Sequence, residues 1–555
     1  MPGVYFEGDS LWNIEERMKF YGIPGASIAV IKDNKIAWLK AYGVKDRDTK
    51  EPVTTKTLFQ AASISKPVTG YGVLKTVELG KVNLTDDVNT WLKTWKLPDN
   101  EFTKDRKVNL ADLLSHTGGV TVHGFGGYPP DMQPPTLVQV LDGTGPANSP
   151  PIRVDKVPGG SFRYSGGGYC VMQQMMIDIY GKAFPEIEQE LVLGPLGMTN
   201  STFDQPLDEN KLKLAATGYL PNGTQTTGKR HTYPEMAPAG LWTTAEDLAK
   251  FAIDIQLTVK GESSKVLSKE MVEKMLTKVN DGMGLSMGID NVNGSLYFGH
   301  SGWNEGFSSQ MMASRNNGYG VVVMINANKP AFITEVIHAV GKTYNWENIP
   351  PTYKTIPMDT TRFKSMTGRY RNSSDGRITI SSKGDKLYMK YIRSHNEPME
   401  VARIDDSTYV PKYENNPMRF RKTGLVFVNH PLEDHGKVKD DEFVPYEYLL
   451  AGEYDKALKG YQALMKANPK DDAVQEGNLN WQGYSFLENG EKELALNIFR
   501  INTVLYPNSA NTYDSYGDGL KGAGNTKDAI ANYKKALKLD PNNKETAAKL
   551  AALDK

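Results

Sequence analysis

The sequence predicts three units in series: an α/β (α+β) body with a sheet flanked by helices, a small antiparallel β-sheet or barrel, and an all-α repeat array. Three observations carry this reading. Near the start, the runs 26–31 and 36–39 flank Asp33-Asn34 as the two strands of a hairpin, while the run 318–325 reads as a buried strand. From about 361 to 430, short alternating segments are separated by turn pairs such as Asp375-Gly376 and Gly384-Asp385. Beyond that, small, aromatic and proline residues recur with a fixed spacing. The units are placed at residues 1–350, 358–432 and 443–555.

In the first unit, helical stretches such as 244–257 and 332–344 lie near or between the strand-like ends. This arrangement predicts one sheet whose first and last strands come from opposite ends of the segment. In the second unit, 377–380, 386–390, 399–402 and 425–428 alternate inward and outward residues, and no catalytic constellation falls among them. Residues 433–442 read as a charged, linker-like bridge. In the third unit, Ala457, Tyr461 and Pro469 share their spacing with Ala495, Phe499 and Pro507, and with Ala529, Tyr533 and Pro541. The last two sets, with Gly483 and Gly517, repeat every 34 residues; between the first two the period slips by four. This pattern resembles tetratricopeptide repeats, in which paired helices stack and small residues permit close packing. A polar terminal helix is expected over 544–553. The resemblance implies either a cover for the catalytic unit or a groove for a protein or peptide partner.

Composition narrows the function. Lys+Arg and Asp+Glu both total 65, so net charge gives no attraction toward nucleic acid or an anionic membrane. No apolar run is long enough to span a bilayer. The first residues, Met1-Pro2-Gly3-Val4-Tyr5-Phe6-Glu7, carry no visible export signal, which leaves the compartment open. Cys170 is the single cysteine and reads as a small buried hydrophobe. The eight histidines form no His-x-x-x-His pair, and neither a metal nor another cofactor is expected.

Ser63-Ile64-Ser65-Lys66 is the segment that points to chemistry. A serine three residues before a lysine shares one face of a helix with it. At a helix start the serine would also lie near unpaired backbone N–H groups able to hold an oxyanion. Such a tetrad alone arises by chance in a chain of this length. Two further segments raise it above chance. Tyr164-Ser165-Gly166 follows the turn 158–163, which would present Tyr164 from a loop. Phe298-Gly299-His300-Ser301-Gly302-Trp303 reads as a strand edge whose small residues let a substrate backbone approach. Lys66 and Tyr164 can share the serine's proton, and the N–H groups of Ser63 and Trp303 are candidates for the oxyanion hole.

At these residues the chain resembles the serine β-lactamase and penicillin-binding-protein superfamily, more narrowly its class C β-lactamase-like (peptidase S12-like) branch. Ser-x-x-Lys, Tyr-x-Asn and Lys/His-x-Gly elements occur there in this order. Supporting stretches are Leu113-Leu114-Ser115-His116-Thr117-Gly118-Gly119, Leu196-Gly197-Met198-Thr199-Asn200-Ser201-Thr202-Phe203 and Ala239-Gly240-Leu241-Trp242-Thr243-Thr244-Ala245-Glu246-Asp247-Leu248. The resemblance covers roughly residues 8–345 and implies a catalytic domain with a central antiparallel sheet flanked by helices. It implies Ser63 as the acylated nucleophile, Lys66 as its proton partner and Tyr164 as general base or shuttle; Lys66 itself is the other candidate for the base. His300 would take the place of the third-motif lysine. Ser301, Gly302 and Gly166 would line the substrate. A small-molecule ester, amide or peptide substrate follows, and a periplasmic or secreted setting is implied by family alone.

Two departures shape the expected substrate. Gly166 stands where β-lactamases carry an asparagine, and His300 replaces a lysine. Both disfavour β-lactam turnover and favour a carboxylesterase or a D-amino-acid peptidase or amidase. A β-lactamase, a D-alanyl-D-alanine carboxypeptidase and a non-catalytic scaffold are the alternatives. His116 reads as structural, packing or bonding to backbone. His123, Tyr128, Trp303 and Glu305 read as loop residues able to rim a cleft, and Gly166-Gly167-Gly168 as flexible backbone beside Tyr164.

Overall fold

The computed structural model of the chain describes residues 5–8, 11–280, 282–292, 294–347, 352–393, 398–412, 414–541 and 543–553. Residues 1–4 and the expected end of the first unit at 350 lie outside them. The chain forms two compact units, residues 12–349 and residues 2–11 with 350–555.

The first unit is built on strands β1 (Gly25–Lys32), β2 (Lys35–Gly43), β3 (Gly288–Val292), β4 (Ser295–Asn304), β5 (Phe307–Ser314) and β6 (Gly320–Ile325). Their order is β2-β1-β6-β5-β4-β3, antiparallel throughout. The hairpin at Asp33-Asn34 forms because both residues take left-handed backbone (φ 53° and 56°), which twists the turn to match its strands. Strands β1 and β6 pair directly, so the two ends of the segment meet mid-sheet. Both are buried on both faces, which explains their unbroken apolar sequence. Ala29, Ile31, Val322 and Met324 join the larger core, whereas Ile28, Val30, Val321 and Val323 join the smaller one.

The larger core is covered by α1 (Ser65–Glu78), α2 (Leu110–Leu114), α3 (Gly166–Tyr180), α4 (Met236–Ala239) and α5 (Ala245–Lys260). Helix α6 (Pro330–Thr343) closes the other face with Phe332, Ile333, Val336, Ile337 and Val340. Cys170 is buried in α3 as a free thiol.

The second unit contains a closed antiparallel barrel of β7 (Gly368–Arg371), β8 (Arg377–Lys383), β9 (Lys386–Tyr391), β10 (Met399–Arg403), β11 (Thr408–Pro411), β12 (Met418–Phe420), β13 (Gly424–Phe427) and β14 (His435–Val438). Its interior is filled by Tyr370, Ile378, Ile380, Leu387, Met389 and Tyr409 among others. Strand β14 corrects the reading of 433–442 as a bridge. It closes the barrel through backbone pairing with β7 and β13, which needs no run of apolar side chains and so leaves little sequence signal. A second correction concerns the start of the chain: Tyr5–Phe6 pairs in parallel with Thr352–Tyr353 and groups with this unit, not with the first.

Helices α7 (Pro445–Leu450), α8 (Tyr454–Ala467), α9 (Glu476–Glu488), α10 (Lys492–Leu505), α11 (Ala510–Gly522), α12 (Thr526–Leu539) and α13 (Lys544–Leu553) follow. Gly483 of α9 lies against the Phe499 ring of α10, and Gly517 of α11 lies in the same way against Tyr533 of α12. This is why glycine and aromatic recur in step. The four-residue slip falls where a 3-10 turn, Asp472–Val474, lengthens the connection from α8 to α9. Barrel and helices are joined at Asp375, whose buried carboxylate accepts from Tyr446 N, Tyr461 Oη and an Arg393 guanidinium nitrogen at 2.7, 2.8 and 2.7 Å. Among the described residues, no helix is long and apolar enough to cross a membrane.

Candidate active site

Ser63 sits in a single 3-10 turn, Ala62–Ile64, that runs straight into α1. Ala62 takes left-handed backbone (φ 52°), a conformation costing an alanine roughly 1–2 kcal/mol. The turn is braced: Ile64 N–H donates to Ala61 O, and Ser65 Oγ donates to Ala62 O at 2.6 Å. One helical turn on, Lys66 is 2% exposed and its Nζ donates to Ser63 Oγ at 3.0 Å and to Pro238 O at 2.9 Å. The tetrad thus makes the contact that its spacing predicts.

Tyr164 lies just before α3, with Ser165 as the N-cap. The Lys66 ammonium stands 4.9 Å from the Tyr164 ring centre. Three imidazoles surround the same ring, His116, His123 and His300, at centroid separations of 4.4, 4.9 and 6.1 Å. Ser63, Lys66, Tyr164 and His300 therefore converge, although they come from a helix start, a loop and a strand separated by over 200 positions in sequence. Burial, and then the Lys66 charge, push the His300 imidazole down to about 4. The same two causes hold His123 below its ordinary value, and hold His116 well below. His300 Nδ1 lies 2.6 Å from Ser301 O, so Nδ1 carries the proton and Nε2 keeps its lone pair.

Strand β4 runs beside the turn that carries Ser63, where Gly302 and its cross-strand partner Ser309 both lie against Ala61 O. Arg315 N–H donates to Leu296 O, which sets the bonded pairs with β5 on even-numbered β4 residues. The N–H of Trp303 consequently points away from β5, at the stretch beyond Gly299 that β3 no longer covers. Gly302 is required here, because any side chain would strike Ala61 O. On the other side, Ile64 supplies the first N–H bonded within the 3-10 turn, to Ala61 O, and Ser63 N–H precedes it. Ser301 is exposed and lines a cavity of about 270 Å³ with Tyr164, His300, Asp290 and Gln310. No lysine or arginine is among that cavity's lining residues.

Gly166, expected to line the substrate, packs closely against the loop that precedes it. It is buried, its N–H donates to His123 O at 3.0 Å, and a Cβ there would lie 2.9 Å from the Phe125 ring. Nor are Gly166-Gly167-Gly168 flexible: they form the first turn of α3, packed against Phe125, Thr121 O and Leu113. Close approach, not mobility, selects glycine. Tyr128 is fully buried and so does not rim the cleft, while Trp303 is 53% exposed.

Several positioning groups escaped the sequence reading. Pro238 O, which holds Lys66, is kept in place by Gln173, whose carboxamide accepts from Ala237 N–H and donates to Pro234 O at 2.9 and 3.0 Å. Ser65 Oγ accepts from Leu241 N–H at 3.0 Å, and Ser309 Oγ donates to Ala61 O at 2.9 Å. Asn304 Nδ2 bridges Gln60 Oε1 and Ala239 O. A backbone carbonyl has no residue-type signature; only the nearby Ala239-Gly240-Leu241 stretch hinted at it.

The Beta-lactamase family model matches residues 13–341, more than half of the chain. Protein flp of Staphylococcus aureus (strain MRSA252) is 27% identical over 322 residues, 57% of this chain and 62% of flp. The chain thus spans about three fifths of the length of that relative. An uncharacterized protein, MT1414, of Mycobacterium tuberculosis (strain CDC 1551 / Oshkosh) is 29% identical over 277 residues, 46% of this chain and 68% of MT1414. The octameric penicillin-binding protein homologue from Pyrococcus abyssi shares the fold at a TM-score of 0.52 and 21% identity, over 75% of this chain and 93% of that one. With the matched segment enclosing Ser63, Lys66, Tyr164 and His300, the chain belongs to the Beta-lactamase family.

Proposed function

We propose that the first unit is a serine hydrolase that cleaves ester or D-amino-acid amide bonds through an acyl-enzyme at Ser63. The observation that carries this is the 3.0 Å bond between Lys66 Nζ and Ser63 Oγ, at a lysine buried beside the Tyr164 ring. In this reading Ser63 Oγ attacks the carbonyl carbon and its proton passes to the Lys66/Tyr164 pair, with the lysine as free amine or the tyrosine as phenolate receiving it. The N–H groups of Ser63 and Trp303 hold the oxyanion. The same pair returns the proton to the departing alcohol or amine, and then takes one from the water that releases the acyl group.

The wall chemistry supports a substrate without an anchoring carboxylate. His300 is neutral at neutral pH, the adjoining cavity carries Asp290 and, among the described residues, no lysine or arginine, and a side chain at Gly166 would press on the Phe125 ring. A β-lactam or a D-alanyl-D-alanine chain would find no lysine or arginine in this cavity to pair with its carboxylate. The test is a panel of p-nitrophenyl esters, D-amino-acid anilides, D-alanyl peptides and cephalosporins compared by kcat/KM. Neutral esters and D-amino-acid anilides are expected to lead; cephalosporins turned over best would reverse the assignment.

For the helices we propose a tetratricopeptide-like array that docks a peptide partner. Gln482 is 5% exposed and lines a cleft of about 540 Å³ with Trp481 and Lys470, yet its carboxamide has no hydrogen-bond partner among the described residues. Trp481→Ala and Gln482→Ala are expected to lose peptides selected by the full chain on an array while ester turnover persists. Unchanged selection would favour a purely structural array.

A further inference from the structure

We propose that His116 is the positioning residue for Tyr164, setting the phenol's place beside Lys66 by gripping the backbone N–H groups of the residues on both sides of it, Arg163 and Ser165. This rests on the reading of Tyr164 as a proton-transfer group. The N–H of Arg163 donates to His116 O at 2.8 Å, and the N–H of Ser165 donates to His116 Nδ1 at 3.1 Å. The N–H groups of the residues before and after Tyr164 therefore both end on one residue. The imidazole also lies against the Tyr164 ring, 4.4 Å between centroids at 32°, and packs on Tyr169 and Phe162 at 5.4 and 5.8 Å. Tyr169 is itself tied down by Oη donating to Ser286 Oγ at 2.6 Å.

The Ser165 half of this grip exists in only one protonation state. Nδ1 accepts a hydrogen bond, so it is unprotonated and the ring proton sits on Nε2. His116 is 2% exposed, and Nε2 has no hydrogen-bond partner among the described residues. A second ring proton would break the Ser165 bond and set a new cation into a wall that already holds Lys66. The groups facing the imidazole are Lys66 from α1, Tyr164 from the loop, Tyr169 from α3, and the neutral imidazoles of His123 and His300; among the described residues no carboxylate acts on it. Backbone geometry completes the arrangement. His116 adopts φ 59°, and the neighbouring Ser115 and Thr117 hydroxyls bond each other at 2.9 Å, which holds the sharp turn after α2. Ser-His-Thr-Gly thus reads as a clamp for the second catalytic segment.

The experiment is a double-mutant cycle in the full chain with p-nitrophenyl acetate as substrate. His116→Phe keeps ring packing but removes the acceptor; His116→Asn offers Oδ1 where Nδ1 stood. Tyr164→Phe supplies the second arm, with circular dichroism and thermal melting as fold controls. Displacing a proton-transfer group by a fraction of an ångström to 1 Å costs up to about 100-fold. His116→Phe is therefore expected to lower kcat about 10- to 100-fold with little change in KM and to shift the pH profile of kcat/KM. His116→Asn should restore most of that loss, and His116→Phe should cost less than about threefold in the Tyr164→Phe background. Full additivity of the two substitutions, or equal loss in both folded His116 variants, overturns the proposal. Unimpaired Tyr164→Phe instead overturns the reading of Tyr164 on which it rests. Nitrogen-15 spectra of the wild-type histidines give a check free of mutation: His116 should keep an unprotonated Nδ1 from pH 5 to 8, and a protonated one contradicts the grip.

Discussion

Lys66 Nζ and Pro238 O lie 2.9 Å apart, so the lysine that reaches Ser63 is aimed by a backbone carbonyl and not by an acidic side chain. The carbonyl is only as rigid as the segment carrying it, and Gln173 ties that segment to α3 on two sides. Lys66→Met is expected to lower kcat/KM for p-nitrophenyl acetate by roughly three orders of magnitude or more, as loss of a proton-transfer partner does in serine hydrolases. Gln173→Leu should cost about 10-fold through kcat by freeing Pro238. Steady-state kinetics of both variants decide this, and an unaffected Gln173→Leu would show that the carbonyl needs no such support.

Gly166→Asn is expected to damage the fold without creating a β-lactamase. Its Cβ would press on the Phe125 ring and on His123 O, and overpacking of this kind costs about 1–3 kcal/mol. Thermal melting should show the loss, and nitrocefin hydrolysis should not rise.

His300 gives the acid side of the stability profile a defined sign. Its imidazole falls from the ordinary 6.5 to about 4 in the folded protein, mainly through burial and then through Lys66. Between these values the unfolded chain binds a proton that the folded chain does not, so stability is full above about 6.5 and declines as pH falls toward 4. His300→Gln should flatten that decline in urea titrations run from pH 4 to 7. Across pH 6 to 8 the ring stays neutral, and His300 should contribute no inflection to kcat/KM there.

The helix pairs make a matched prediction. Gly483→Ala and Gly517→Ala would thrust a methyl into Phe499 and Tyr533, at a cost of about 1–3 kcal/mol each. Gly477→Ala, where a Cβ meets nothing within 4 Å, should be neutral or stabilising by up to about 1 kcal/mol. Chemical denaturation separates the three.

How far the sequence reached depended on which physical signal each feature leaves. The Asp33-Asn34 hairpin, the buried strand β6 and the 34-residue helix spacing were legible because turn chemistry, burial on both faces and glycine–aromatic contacts each restrict residue type. Ser63, Lys66, Tyr164 and His300 were legible as motif positions, and the fold brings them together. Strand β14 was not, since backbone pairing alone recruits it. Pro238 O and the double hold of His116 on Tyr164 were hidden for a related reason: both are made by main-chain atoms that every residue possesses. Gly166-Gly167-Gly168 was misread as flexible because a glycine chosen for tight packing looks, in sequence, like one chosen for freedom.

The central claim is that Ser63 forms the acyl-enzyme. Intact-mass and peptide-mapping spectrometry after treatment with a fluorophosphonate probe tests it most directly. One adduct per chain, located on Ser63 and absent from a folded Ser63→Ala variant that no longer hydrolyses p-nitrophenyl acetate, is the expected result. An adduct elsewhere, or undiminished ester turnover by Ser63→Ala, would contradict it.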